Sequence, residues 1–220
     1  MTTTARTAAR TSTPRTDRAR PRTRTLLTAA ALAGPFFFVS STVQALARPG
    51  FDLRIHPLSQ LATGGPGWIQ QLTFVLAGLG FLALAVAYRR MRPTGIGRRL
   101  VPVFLSIFGA GIAAAGIFPM DPQLGFPIGA PAGPVDLSWH SIVHSTAAAV
   151  AFTALAGACI TALVRHIRAR NVAASIADGL VALVLLLPVS PTGASIQVAA
   201  TGLIAYTWVT GYALALRRAA

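Results

Sequence analysis

The chain has 220 residues, of which 54% are hydrophobic and 11% are charged, and its mean hydropathy is +0.62. All 19 basic residues are arginines, the five acidic residues are aspartates, and the formal net charge is +14. This composition argues against a soluble globular protein and excludes disorder of the whole chain. Because Cys159 is the single cysteine, an intramolecular disulfide and a cysteine-rich metal site are also excluded.

Residues 1–25 consist almost entirely of Thr, Arg, Ala, Pro and Ser, and their seven arginines face one acid, Asp17. Such a segment cannot bury enough apolar surface to offset its chain entropy, so we predict a disordered cytoplasmic tail. Its arginines either set the membrane topology or also contact anionic lipid headgroups. No aromatic residue stands between them to stack on bases, so specific binding of nucleic acid is not expected.

Six apolar stretches follow the tail, each close to the ~20 helical residues that cross a hydrocarbon core. They are apolar all round rather than along one stripe, which favours membrane spans over buried helices of a soluble protein. The sequence therefore predicts an all-α membrane domain at 26–218, a bundle of six transmembrane helices. The predicted spans are about 26–47, 68–88, 100–118, 141–164, 172–187 and 196–216.

The arginines indicate how these spans are oriented. Seventeen of the 19 lie before the first span, after the last, or in the 89–99 and 165–171 loops, whereas the alternate loops hold only Arg48 and Arg54. Since short loops rich in arginine remain in the cytoplasm, we predict a plasma-membrane protein with both termini inside.

Several residues within the spans have a predicted structural role. Recurring glycines are expected to mark helix packing faces (Gly34, Gly78, Gly80, Gly109, Gly111, Gly116, Gly202 and Gly211). Pro35 should bend the first helix or free a carbonyl. Asp178 is costly inside a span, so we expect it to reach the headgroups or to pair with Arg168 or Arg170, and a proton or ion relay is the alternative.

Most residues capable of chemistry lie toward the side that is poor in arginine. We predict that they form an outward-facing polar cluster, built from Asp52, Arg54, His56, Asp121, His140 and His144. His140 and His144 are four residues apart on one helix, so their side chains share a face and could reach one metal ion, with Asp121 as a further ligand.

Three interpretations of this cluster remain open. The histidines could tie the loops onto the bundle by hydrogen bonds; they could hold zinc in a metal-dependent hydrolase at the outer leaflet; or the cluster could bind or move a small polar or lipidic ligand. A haem with two histidine ligands is disfavoured, because His56 is the available partner on that side and His166 lies on the other. Neither the oligomeric state nor the substrate follows from the sequence.

Two sets of outer motifs carry a resemblance to a known family. The stretch Arg48-Pro49-Gly50-Phe51-Asp52 is followed by His56-Pro57-Leu58-Ser59-Gln60-Leu61 and by Gly65-Pro66-Gly67-Trp68-Ile69-Gln70. Gly116-Ile117-Phe118-Pro119-Met120-Asp121-Pro122 and the His140, His144 pair come next, in the same order. In these motifs the chain resembles the bacterial membrane family called domain of unknown function 998. The resemblance implies a multi-pass membrane protein and supplies no catalytic residues.

Overall fold

A computed structural model describes residues 19–92, 94–190 and 192–220. Its helices are α1 (Ala19–Ala47), α2 (Gly67–Met91), α3 (Leu100–Ile117), α4 (Trp139–Arg168), α5 (Val172–Leu186) and α6 (Ala194–Arg218), with a short 3₁₀ helix at Leu58–Ala62. The described ranges contain no β-strand, only an isolated bridge between Gln123 and Phe126. The prediction of an all-α protein is confirmed.

The helices follow the predicted spans closely, and differ from them mainly by running further into the arginine-rich flanks. Arginine is a good helix former, so α4 continues to Arg168 and α6 to Arg218. Likewise α1 begins at Ala19, so 19–25 are helical rather than part of a tail. Pro21 is compatible with that start, because backbone N–H groups in the first turn of a helix have no acceptor within the helix, so a residue without an N–H loses no hydrogen bond there. The rest of the predicted tail, 1–18, lies outside the described residues.

Five of the helices, α1 to α4 and α6, are long and apolar enough to cross a membrane. The remaining helix, α5, is apolar but has 15 residues, a length of about 22 Å against a hydrocarbon core of ~30 Å. Large apolar side chains are exposed around the outside of the bundle, which suits a lipid environment. The chain is therefore a multi-pass membrane protein, with five helices of spanning length and one shorter helix among its described residues.

The helices pack in the order α6, α1, α2, α3, α4, α5, while α5 touches α6 much less than it touches α4. Two hydrogen bonds show that α1 and α6 are antiparallel. At the start of α6, Ser195 donates to the Ile55 carbonyl in the loop that follows α1 (2.8 Å), and further along α6, Thr210 donates to the Ala31 carbonyl within α1 (3.1 Å). One end of the bundle carries the 48–66 and 118–138 loops and is called the capped end. The other, where most arginines lie, is called the arginine-rich end. Both ends of the described chain lie there.

Close packing between helices depends on glycines, as predicted for most of them. A Cβ on Gly78 would lie 2.6 Å from the Gly109 carbonyl oxygen, and one on Gly109 would lie 2.8 Å from that of Gly78, so α2 and α3 approach backbone to backbone. Gly202 and Gly211 differ: a Cβ on Gly202 would meet one ring atom at 3.6 Å and one on Gly211 would meet nothing within 4 Å. These two glycines border open spaces and are not close-packing positions.

Helix α1 remains continuous through Pro35. Because proline has no N–H, the carbonyl of Ala31, four residues earlier, loses its helical donor. The Thr210 hydroxyl of α6 supplies the missing hydrogen bond. The freed carbonyl predicted from the sequence is therefore used to join α1 to α6.

Candidate functional site

The 48–66 and 118–138 loops fold onto each other and onto the bundle to form what we call the loop cap. Arg48 lies at its centre and donates to the carbonyls of Leu61 (2.6 Å) and Thr63 (2.8 Å). The same guanidinium lies over the Phe126 ring, 4.5 Å from its centroid. A single side chain thus holds the first loop in its turn and joins it to the second loop.

His56 and Gln60 also join the two loops by hydrogen bonds, and both are buried. His56 Nδ1 accepts from the Asp52 backbone N–H (3.0 Å), so Nε2 carries the proton and donates to the Leu124 carbonyl (3.0 Å). Gln60 donates to the Gln123 carbonyl (2.6 Å). Both ring nitrogens of His56 are occupied, so this histidine fastens the loops and has no free atom for a ligand.

Three other residues of the predicted polar cluster lie on the cap, two of them paired with each other and the third bonded elsewhere. Asp52 and Arg54 form an exposed ion pair (2.7 Å). The side-chain and backbone hydrogen bonds from Arg54 lower the pKa of the Asp52 carboxyl to about 2, so this group is ionised at neutral pH. Asp121 accepts from the Ser138 backbone N–H (2.7 Å), next to the start of α4.

The two histidines of α4 have different environments. His140 is exposed and stacks on Trp139, with ring centroids 3.6 Å apart. His144 is buried, and its Nδ1 lies 2.7 Å from the Ala115 carbonyl oxygen and 3.0 Å from that of Phe118. Carbonyls only accept, so Nδ1 carries the proton and Nε2 is left as an acceptor.

The backbone of α3 explains why His144 is needed there. The Ala115 carbonyl would normally accept from the backbone of residue 119, but Pro119 has no N–H. His144 supplies that hydrogen bond and caps the end of α3. Its Nε2 makes no hydrogen bond within the described residues, so the ring still has one polar atom to offer.

A cavity of about 80 Å³ lies beneath the loop cap, with His144 in its wall. Its lining is mainly apolar and includes five aromatic side chains, and Ser59 is another polar lining residue. The aromatic members come from α1, α2, α4 and α6 (Phe37, Phe38, Phe74, Phe152 and Tyr206). Of the six residues predicted for the polar cluster, His144 is the one that borders this cavity.

The predicted metal ligands His140, His144 and Asp121 are placed in three settings: stacked on an indole, bonded to carbonyls, and bonded to a backbone N–H. Within the described ranges, no three His, Cys, Asp or Glu side chains come together as a set that could hold a metal ion. No distance in the structure favours the zinc hydrolase.

A second polar cluster, not predicted from the sequence, lies at the arginine-rich end. Asp178 is buried, and its carboxylate accepts from His166 Nδ1 (2.6 Å) and from the Trp208 indole N–H (2.9 Å). Arg165 Nη2 donates to His166 Nε2 (2.8 Å). The partners of Asp178 are therefore a histidine and an indole rather than Arg168 or Arg170, the partners expected from proximity along the chain. The signal available in the sequence was an aspartate within an apolar stretch, because a buried carboxylate must be hydrogen-bonded by donors.

Comparison with known proteins identifies the chain at the level of a family. A family model described as "Protein of unknown function (DUF998)" matches residues 31–215. No curated protein and no solved structure matches the chain. The match covers all six helices apart from the two outermost ends, and it agrees with the resemblance in the outer motifs. The chain therefore belongs to the DUF998 family of proteins of unknown function.

Proposed function

We propose that this protein resides in the plasma membrane with both termini in the cytoplasm, and that it binds or moves a small amphipathic ligand through the cavity beneath the loop cap. The orientation is supported by the arginines, which gather at the end of the bundle where both ends of the described chain lie. In this orientation the loop cap and the cavity face outward.

Cysteine labelling tests the orientation. In a Cys159→Ser background, a cysteine placed at the exposed Gly65 in the loop cap should react with a membrane-impermeant maleimide on intact cells. A cysteine placed at the exposed Thr94 should react only after lysis. Labelling of the Thr94 position from outside, with the Gly65 position protected, would reverse the orientation and place the cavity on the cytoplasmic side.

The chemistry of the cavity carries the ligand proposal. Its wall is mainly apolar, and the free Nε2 of His144 is an acceptor whose ring is held in place by two carbonyls. Small-molecule sites commonly combine an apolar lining with a few fixed polar groups. A ligand with a hydroxyl or other donor at one end of an apolar chain would satisfy both features, with that end inside the cavity of about 80 Å³ and the rest of the chain outside it, toward the bilayer.

The boundary between α4 and α6 is the route that we propose into the cavity. These helices meet here through large side chains rather than backbones: the Phe152 and Tyr206 rings stack with centroids 6.4 Å apart. Val198, another lining residue, is 42% exposed on the outside of the bundle. An apolar chain could therefore enter from the bilayer between the two helices.

Filling the cavity from α6 tests the proposal. The Gly202→Leu variant should place its side chain in the cavity and exclude a ligand, whereas Gly202→Ala adds a Cβ in ordinary contact, 3.6 Å from Phe38. The probe is a long-chain fatty alcohol carrying a diazirine, photo-crosslinked to the purified protein, with labelled peptides mapped by mass spectrometry. We expect labelling of peptides that line the cavity in wild type and in Gly202→Ala, and loss of most of it in Gly202→Leu.

The His144→Phe variant adds a second arm, because it removes the acceptor while keeping a ring of similar size. It should weaken labelling by the alcohol more than labelling by the matching alkane, which lacks the hydroxyl. If Gly202→Leu is folded and labelled as strongly as Gly202→Ala, the cavity is not the ligand site.

A further inference from the structure

A larger cavity opens at the arginine-rich end, between the ends of α4 and α6 and the start of α5. It has a volume of about 400 Å³, within the ~300–1,000 Å³ of small-molecule sites. Its wall holds Arg92, Arg165 and the His166, Asp178 and Trp208 cluster. Small residues of α5 and α6 complete it (Ala174, Ala177, Gly211 and Ala215). The sparse contact between α5 and α6 leaves this space open.

The acceptors of Asp178, His166 and Asn171 in this wall are occupied, whereas the hydroxyl of Tyr212, which also lines the cavity, has no hydrogen-bond partner within the described residues. Each Asp178 oxygen accepts one hydrogen bond, from His166 or from Trp208, and His166 Nε2 accepts from Arg165. Asn171 Oδ1, the cap of α5, accepts from the Ala174 N–H. A ligand that offers mainly donors would therefore find few partners here.

Donors and positive charge remain available. Arg165 has five N–H donors and uses one of them, on His166, while its buried Nε has no partner within the described residues. The exposed guanidinium of Arg92 contributes a second positive charge. The start of α5 also borders the cavity, and the N-terminal end of a helix adds a partial positive charge.

The net charge of the cavity wall also favours an anionic ligand. Asp178 offsets one of the two guanidinium groups, which leaves the wall with an excess positive charge and unused donors. Arginine prefers oxyanions with several acceptor oxygens, and phosphate is the common one at a membrane surface. We propose that this cavity binds a phosphate group, either as free phosphate or as the headgroup of an anionic phospholipid. The proposal does not depend on the ligand assigned to the cavity at the capped end.

The test measures binding to the full-length protein, purified in a non-phosphorus detergent without phosphate or sulfate. Calorimetry with inorganic phosphate addresses the free ion. Titration with dihexanoyl phosphatidylglycerol, beside dihexanoylglycerol that lacks the phosphate, addresses the headgroup. Binding of inorganic phosphate assigns the free ion, and binding of the phospholipid alone assigns the headgroup. Both results support the proposal.

Two pairs of variants connect binding to the cavity. Arg165→Gln should weaken binding about tenfold or more, because a charge-assisted hydrogen bond is lost. Arg168→Gln, the same change at an exposed position of α4, should leave it within about twofold. Gly211→Leu should abolish binding by filling the cavity, and Gly211→Ala should retain it, since a Cβ there meets nothing within 4 Å.

Three results would overturn the proposal: no binding of either phosphate source to wild type, equal loss in Arg165→Gln and Arg168→Gln, or wild-type binding by Gly211→Leu. Each variant is first checked for helix content and for a single peak in size-exclusion chromatography. If Arg165→Gln misfolds, the two Gly211 variants decide the question, because they leave the hydrogen-bonded cluster unchanged.

Discussion

Replacing Asp178 with alanine should lower the free energy of unfolding by about 2–6 kcal/mol, because two buried donors lose their acceptor at about 1–3 kcal/mol each. The change would leave the Trp208 indole N–H and the His166 Nδ1–H without their acceptor. It would also leave the Arg165 guanidinium without the carboxylate that balances it. Unfolding by SDS titration in mixed micelles, followed by circular dichroism, measures the loss.

Asp136→Ala is the matched control, because it removes the same charge from an exposed loop position and should change stability by no more than about 0.5 kcal/mol. Asp178→Asn keeps an acceptor for Trp208 and should be intermediate. A double variant, His166→Leu with Asp178→Leu, removes the His166 donor together with its acceptor and leaves only the Trp208 indole of the two Asp178 donors unpaired, so it should be more stable than Asp178→Ala. Equal stability of Asp178→Ala and Asp136→Ala would mean that the cluster does not support the fold.

Adding a single methyl group at Gly109 should also destabilise the bundle. A Cβ there would lie 2.8 Å from the Gly78 carbonyl oxygen and 2.8 Å from the Leu82 backbone nitrogen. Backbone atoms cannot rotate away as side chains do, so α2 and α3 must move apart. We expect Gly109→Ala to cost about 1–3 kcal/mol, the usual range for overpacking, and Gly109→Val to cost more. The same SDS titration measures both.

Gly179→Ala provides the comparison, because it adds the same methyl group to α5 with its nearest neighbour, Leu163, at 3.8 Å. It should be neutral or slightly stabilising, since alanine is the better helix former. A Gly109→Ala variant as stable as Gly179→Ala would show that α2 and α3 can separate without loss, and that Gly109 is not a packing position.

The predicted fold depended on properties that each stretch of sequence carries by itself. Apolar length determines which segments can form helices of spanning length, because a backbone in lipid must satisfy its hydrogen bonds internally. This reasoning located all six helices, although α5 is shorter than the hydrocarbon core. The family motifs around Arg48 and His56 also lie within one segment. The sequence was sufficient to recognise the family that the matching model then showed.

The polar residues could not be placed in this way, because their partners come from distant segments. His56 is occupied by a carbonyl 68 residues away, and His144 by carbonyls 29 and 26 residues away. The histidines that share a helix face along the chain therefore have separate roles. The spacing of His140 and His144 gives their positions on α4, but it does not give the hydrogen-bond partners that α3 and the loops place beside them.

Taken alone, the sequence determined the membrane class, the helices and the family, since each depends on local composition and motifs. Tertiary structure decided which glycines pack and which border cavities, and which donors satisfy Asp178. The residues near a side chain in its own helix do not specify which residues of the other helices it will contact. Those contacts arise only when antiparallel helices align, as α1 and α6 do, and bring residues 31 and 210 within hydrogen-bonding distance.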